Sequence, residues 1–210
     1  MSRAVVFDFG AVLFHWQPLA LLREVVPELA PDESTARVLA GSIFQSFTPD
    51  SDWAQFDLGR LDESTLAQRI AVRIGAQAAQ VRRVIDAIPE HLQAQPEVVE
   101  LLHALRGAGH RLYFLSNMPV PYAAHLERVN PFLSAFLDGI FSGRVGLMKP
   151  HAPIFELAEQ RFVLEPPHTV FIDDHLGNVQ AARARGWQAV HFTEASGCRQ
   201  ALCEQGWLPG

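Results

Sequence analysis

Four short stretches carry side chains that could do chemistry together. VVFDFG ends an apolar run on a lone carboxylate, Asp8; FLSN ends another on Ser116 and Asn117. GLMKP presents Lys149, and VFIDDH closes a further run on the adjacent pair Asp173 and Asp174. A carboxylate on a stiff strand end can act as a nucleophile. Three carboxylates brought together form an oxygen-ligand site for a hard cation, and a site of few carboxylates that leaves room for phosphate suits Mg²⁺. Such an ion would offset the repulsion between Asp8 and an incoming phosphate and orient the phosphoryl group for in-line attack. Lys149 would add a point charge on the phosphate oxygens and hold the carboxylates together, while Ser116 and Asn117 would donate hydrogen bonds. As a set, these types describe phosphoryl transfer through an aspartyl-phosphate, followed by attack of water.

That set works only if the fold brings the stretches to one edge. Apolar runs of strand length recur at 4–7, 111–115, 139–141, 169–172 and 189–192, and helical patterns precede most of the later ones. VVELLHALRGAG has helical spacing and stops on glycine; APIFELAEQRF and GNVQAARARG read the same way. Strands alternating with helices predict an α/β fold, a Rossmann-like parallel sheet covered on both faces. In such sheets ligands sit beyond the carboxyl ends of the strands, where all four stretches fall.

After Trp16, about eighty residues pass before the next strand, more than one crossover helix needs. LALLREVVPEL, STARVLAGSIF, DESTLAQRIAVRIG and AQVRRVIDAI are helical, with Asp62 as an N-cap. We therefore expect residues 1–15 and 91–210 to form the core and residues 16–90 a helical cap domain inserted after the first strand. Prolines at 49, 89, 96, 119, 121, 131, 150, 153, 166 and 167 are expected at element borders.

The bulk numbers bound the alternatives. With 210 residues, 49% hydrophobic and 19% charged, the chain can bury a full core. The net charge of −6 and the absence of a basic block argue against nucleic acid. No segment reaches about 18 apolar residues, the length a membrane span needs, and the opening stretch lacks a signal-peptide cleavage site. Two cysteines, Cys198 and Cys203, are expected as thiols in a cytoplasmic protein. The nine histidines show no zinc-type spacing.

FDFGAVL, FLSN, GLMKP and VFIDDHLGNVQAA, in this order, resemble the motifs of the haloacid dehalogenase-like hydrolase superfamily, whose alpha-helical cap follows the first motif. Within it the chain resembles a sugar-phosphate phosphatase branch, like the bacterial alpha-glucose-1-phosphate phosphatases. The shared features are glycine two places after the nucleophile, LSN, KP and DDxxxN, together with the stretch FDLGRLDESTLAQRIA. The resemblance implies Asp8 as nucleophile, a small phosphate ester as substrate, and Mg²⁺ held by Asp8, Asp173, Asp174 and the Gly10 carbonyl.

One departure stands out. Most phosphatases of this superfamily carry a second Asp two residues after the nucleophile, to protonate the leaving alcohol and activate water. Here that residue is Gly10. Three answers stay open. Another group replaces the acid, with His15, His175, Asp52 and Asp57 as candidates; histidine titrates near neutrality. Alternatively the protein is a metal-independent 2-haloacid dehalogenase, whose halide needs no proton, although paired carboxylates would repel its anionic substrate. Or it is a silent phosphate-binding module. Trp16, Trp53, Phe56 and Phe14 are candidates for the pocket wall or for packing; Trp187 and Trp207 are assigned to packing.

Overall fold

The computed structural model describes residues 3–45, 48 and 50–209; Pro49 lies outside them. The sheet comprises β1 (Ala4–Phe7), β2 (Arg111–Ser116), β3 (Asp138–Phe141), β4 (Thr169–Asp173) and β5 (Gln188–His191). All pairings are parallel, in the order β3-β2-β1-β4-β5. This is the α/β, Rossmann-like architecture expected from the alternating pattern. β5 begins and ends one residue earlier than the apolar run suggested, and Phe192 instead donates its N–H to the Asp173 carbonyl at 2.9 Å.

β1 is central and wholly buried because both of its faces are covered. Side chains alternate across a strand, so Val5 and Phe7 join one core while Ala4 and Val6 join the other. The first core also takes Leu112, Phe114, Val170 and Ile172; the second takes Tyr113, Leu115, Ile140 and Phe171.

Among the described residues five helices lie between β1 and α6 (Pro96–Gly107), in the stretch termed the insertion: α1 (Pro18–Val25), α2 (Glu33–Phe44), α3 (Asp52–Asp57), α4 (Glu63–Ile74) and α5 (Ala78–His91). The chain then adds α7 (Val120–Val129), α8 (Ser142–Val145), α9 (Ala152–Phe162), α10 (Leu176–Ala184) and α11 (Ala195–Glu204). The Asp62 side chain caps α4 by accepting from the Thr65 N–H, and Gly75 ends that helix at φ 69°, a left-handed conformation that glycine adopts without strain. Leu21, Ile43, Phe44, Trp53, Phe56, Ile70 and Ile85 of the insertion share the first core with Val5 and Phe7.

Two hydroxyls join the insertion to the rest of the chain. Pro89 sits inside α5 rather than at its border. Lacking an N–H, it leaves the Ile85 carbonyl without its helical partner. The Tyr122 hydroxyl of α7 donates to that carbonyl at 2.8 Å. The Ser142 hydroxyl, at the start of α8, donates to the Asp57 carbonyl at 2.6 Å and accepts from the Met118 N–H at 2.8 Å. Beside this link the backbones nearly touch: a Cβ added at Gly59 (φ +70°) would lie 2.5 Å from the Gly143 carbonyl oxygen.

Candidate active site

Asp8 prolongs the β1 ladder by one residue, its N–H donating to the Ile172 carbonyl at 2.9 Å. Its carboxylate is therefore aimed by the sheet rather than by a loop. Phe9 N–H donates to Asp8 Oδ1 at 2.7 Å. Lys149 Nζ lies 2.9 Å from Asp8 Oδ1 and 2.6 Å from Asp173 Oδ2, bridging the ends of β1 and β4. The lysine is 2% exposed and Asp173 is 0% exposed. Burial works against the Lys149 charge, but the carboxylates of Asp173 and Asp8 outweigh it and hold the ammonium above its usual range.

Asp173 is fully engaged. Besides Lys149 it accepts from the His175 N–H at 2.8 Å and from Asn178 Nδ2 at 3.0 and 3.1 Å. Asn178 is buried, five residues after Asp173 on the first turn of α10, where it faces back onto the strand end. It is the N of the DDxxxN pattern, a positioning role that the type-by-type reading of the strand ends left out. Asn117 grips the lysine main chain from both sides: its Nδ2 donates to the Lys149 carbonyl at 3.0 Å, and its Oδ1 accepts the Lys149 N–H at 2.9 Å. The second hydrogen of Nδ2 is what that side chain retains for an anion. The Ser116 hydroxyl is buried and has no hydrogen-bond partner among the described residues. A phosphate oxygen is an acceptor that would satisfy it.

Asp8, Asp173 and Asp174 each place a carboxylate oxygen within 4.8 Å of the others. Burial is the largest influence on Asp8 and lifts it to about 7; Lys149 opposes this, while Asp173 and Asp174 add to it. Asp174 sits at the rim and is also raised, first by loss of water around its carboxyl and then by the charge of Asp173. Three carboxylates face one ammonium, and a divalent cation would relieve that excess. The donor set, all oxygen, fits Mg²⁺. Gly10 lines the same pocket, and a Cβ built on it would meet nothing within 4 Å.

The site opens into a cavity of about 190 Å³ between the strand edge and the insertion. The strand-edge side contributes Asp8, Asn117, Lys149, Asp174 and His175; the insertion contributes Trp16, Trp53, Asp57, Ile88 and, just beyond α5, Leu92. Trp16 and Trp53 thus reach the cavity wall, whereas Phe14 and Phe56 pack into the core, as do Trp187 and Trp207.

The candidates for the missing acid separate clearly. Asp52 is not on the cavity wall; burial raises it, but Arg73 and Arg69, bonded to it at 2.5 and 3.1 Å, hold it below the usual carboxylate range. His15 is not on the wall either, and its backbone N–H donates to the Gln93 carbonyl at 2.8 Å. His175 lines the rim, where it is the N-cap residue of α10, with its ring against Gly177. Asp57 is the buried one, 5% exposed, on the wall. Both cysteines are free thiols, and among the described residues no helix is long and apolar enough to cross a membrane.

The chain is similar to known proteins in sequence and in fold. A sesquiterpene phosphatase, AstK, of Aspergillus oryzae is 27% identical over 194 residues, 92% of this chain and 91% of that protein. A phosphoglycolate phosphatase of Haemophilus influenzae is 29% identical over 153 residues, 68% of this chain and 61% of its own length. A HAD family enzyme from Bacteroides thetaiotaomicron, solved with magnesium and inorganic phosphate, superposes with a TM-score of 0.70 at 18% identity. That match covers 92% of this chain and 95% of the other, and it speaks to the fold. A family model for haloacid dehalogenase-like hydrolases matches residues 3–186. With that match spanning most of its length and the motif residues gathered at one sheet edge, the chain belongs to the haloacid dehalogenase-like hydrolase family.

Proposed function

We propose that the protein is a Mg²⁺-dependent phosphomonoesterase that turns over a small phosphate ester through an aspartyl-phosphate on Asp8. The observation that carries this reading is the buried Lys149 bridging Asp8 and Asp173 beside a third carboxylate, Asp174. A metal held by Asp8, Asp173, Asp174 and the Gly10 carbonyl would neutralise charge on the phosphoryl group and align it with Asp8. Asp8 attacks phosphorus, aimed by its ladder hydrogen bond. Lys149, Ser116 and the spare Asn117 hydrogen bind the phosphoryl oxygens, and Asn178 and the His175 N–H keep Asp173 in place. Residues 16–90 act as the cap that closes the pocket and shuts out water.

The alcohol half is read from the walls. The sugar-phosphate expectation rests on resemblance alone. Trp16, Trp53, Ile88, Leu92, Met118 and Pro119 line the cavity, and the Tyr122 hydroxyl beside them is committed to the Ile85 carbonyl. A sugar hydroxyl buried there without a partner would cost about 1–3 kcal/mol. These walls favour a more apolar alcohol, and a relative named as a sesquiterpene phosphatase supports that choice. The test is phosphate release from prenyl and alkyl monophosphates against sugar phosphates, with Mg²⁺ and with chelator. We expect chelator to stop turnover and the apolar esters to have the higher kcat/KM. Chloride release from L-2-chloropropionate that ignores chelator would instead support the dehalogenase reading, for which Gly10 speaks.

A further inference from the structure

We propose that Asp57, the last residue of α3, is the general acid and base of this site, doing from the insertion what a carboxylate at position 10 would otherwise do. The inference rests on the phosphatase reading and goes beyond it, because it names the group that handles the proton.

The first observation is isolation. Asp57 is 95% removed from solvent by its 5% exposure, lines the cavity with Asp8, Asn117 and Lys149, and accepts no side-chain hydrogen bond from any described residue. Every other buried carboxylate of the site has donors. The Asp57 oxygens are not among the enclosed, unpartnered side-chain atoms, which leaves them facing the cavity that they line; no protein donor accounts for an aspartate at this position. The second observation is fixation. The Asp57 carbonyl is held by Ser142, whose hydroxyl also takes the Met118 N–H, one residue beyond Asn117. The close approach of Gly59 to Gly143 seals the same corner. An acid on an inserted segment is thereby registered to the reacting edge. Burial, and after it the charge of Asp8, push the carboxyl up to about 8, which leaves it protonated in neutral solution as a donor must be.

The step balances simply. Asp8 Oδ forms a bond to phosphorus, the bond from phosphorus to the ester oxygen breaks, and that oxygen keeps the electron pair and takes the Asp57 proton. Water then attacks the phosphoryl group, the bond to Asp8 breaks, and the proton from water returns to Asp57.

The experiment compares the first turnover of an alkyl monophosphate with that of an activated aryl phosphate, whose alcohol leaves without help. General acid catalysis typically contributes about 10²–10⁴-fold. In Asp57→Asn we expect alcohol release from the alkyl ester to fall by about 10²-fold or more, while the burst from the aryl ester stays within about tenfold. Phosphoryl-Asp8 should then accumulate, read by intact-mass spectrometry, because water lacks its base. Position 10 has room for a side chain, so Asp57→Asn combined with Gly10→Asp should recover at least about tenfold of the alkyl loss. Equal loss on both esters, or no loss on either, would overturn the assignment while leaving the phosphatase reading intact. A wild-type protein that releases phosphate from neither ester would remove that reading and the assignment with it.

Discussion

The two walls of the pocket are built on opposite principles. On the strand edge the buried charges are paired, Lys149 with Asp8 and Asp173, and neighbouring amides hold them in place, Asn178 on Asp173 and Asn117 on the Lys149 main chain; Asp174, at the rim, is the carboxylate left over. On the insertion side the wall is aromatic and aliphatic, and its one carboxyl, Asp57, stands alone. On Asp8 the Lys149 ammonium opposes the effect of burial, and the carboxyl stands at about 7; on Asp57 nothing opposes it, and the carboxyl stands at about 8. Isolation removes charge from the group that must carry a proton. The same residue type therefore serves two roles because its surroundings differ.

The comparison breaks first at Asp8. We expect Asp8→Asn to lower turnover by at least about 10⁴-fold with the thermal transition intact, since neutralising a nucleophile removes the reaction path itself. Residual activity within tenfold of wild type would take the nucleophile away from this residue.

The next effect is on stability. Lys149→Ala would leave Asp8 and Asp173 facing each other in the interior. Breaking a buried pair by removing one partner costs about 3–5 kcal/mol, and we expect the denaturant midpoint to drop accordingly. A loss under about 1 kcal/mol would mean that the strand-edge wall is not held by its charges.

A pH dependence sharpens the contrast on the other wall. Asp57 holds its proton more tightly in the folded state, its pKa being about 8 against an ordinary 3.8. Below 3.8 both states are protonated and the residue is neutral to stability. Between 3.8 and about 8 the unfolded chain has released the proton and the folded chain has not, so stability falls as pH rises, by at most about 1.4 kcal/mol per unit. Asp57→Asn lacks this slope. In metal-stripped protein, its melting temperature should rise relative to wild type as pH goes from 4 to 8. Asp8, Lys149, Asp174, His175 and Tyr122 face the same cavity but are common to both proteins, so they largely cancel in the difference. Parallel melting curves across that range would show Asp57 to be ionised in the fold.

Legibility in the sequence followed the same division. An apolar run ending on a polar residue announces both the strand and the residue placed at its edge, so Asp8, Ser116 and Asp173 could be named from type and position; Lys149, in the loop beyond β3 and α8, could be named only because it occurs with them. Helices α1, α2, α4 and α5 could be read from periodicity, and the Asp62 cap from its local pattern. Asp57 could not be singled out among the acid candidates. In FDLGRLD it looks like an ordinary acid entering a glycine turn, and its burial follows from tertiary packing that the local sequence does not show. Helix α3 escaped notice because six residues are too few to show a period. Helix α7 carries prolines at its N-cap and second position, where they are compatible with a helix start but read as a break.

Both hydroxyl links between the insertion and the core have a property with wider reach. Tyr122 takes the Ile85 carbonyl and Ser142 takes the Asp57 carbonyl, so each grips main chain rather than side chain. A main-chain anchor is indifferent to the residue that carries it. A substitution at Trp16, on the cavity wall, therefore changes the pocket without removing either hydrogen bond, and the pocket's preference can drift while the seam keeps both links. The fold separates what must be kept from what is free to evolve.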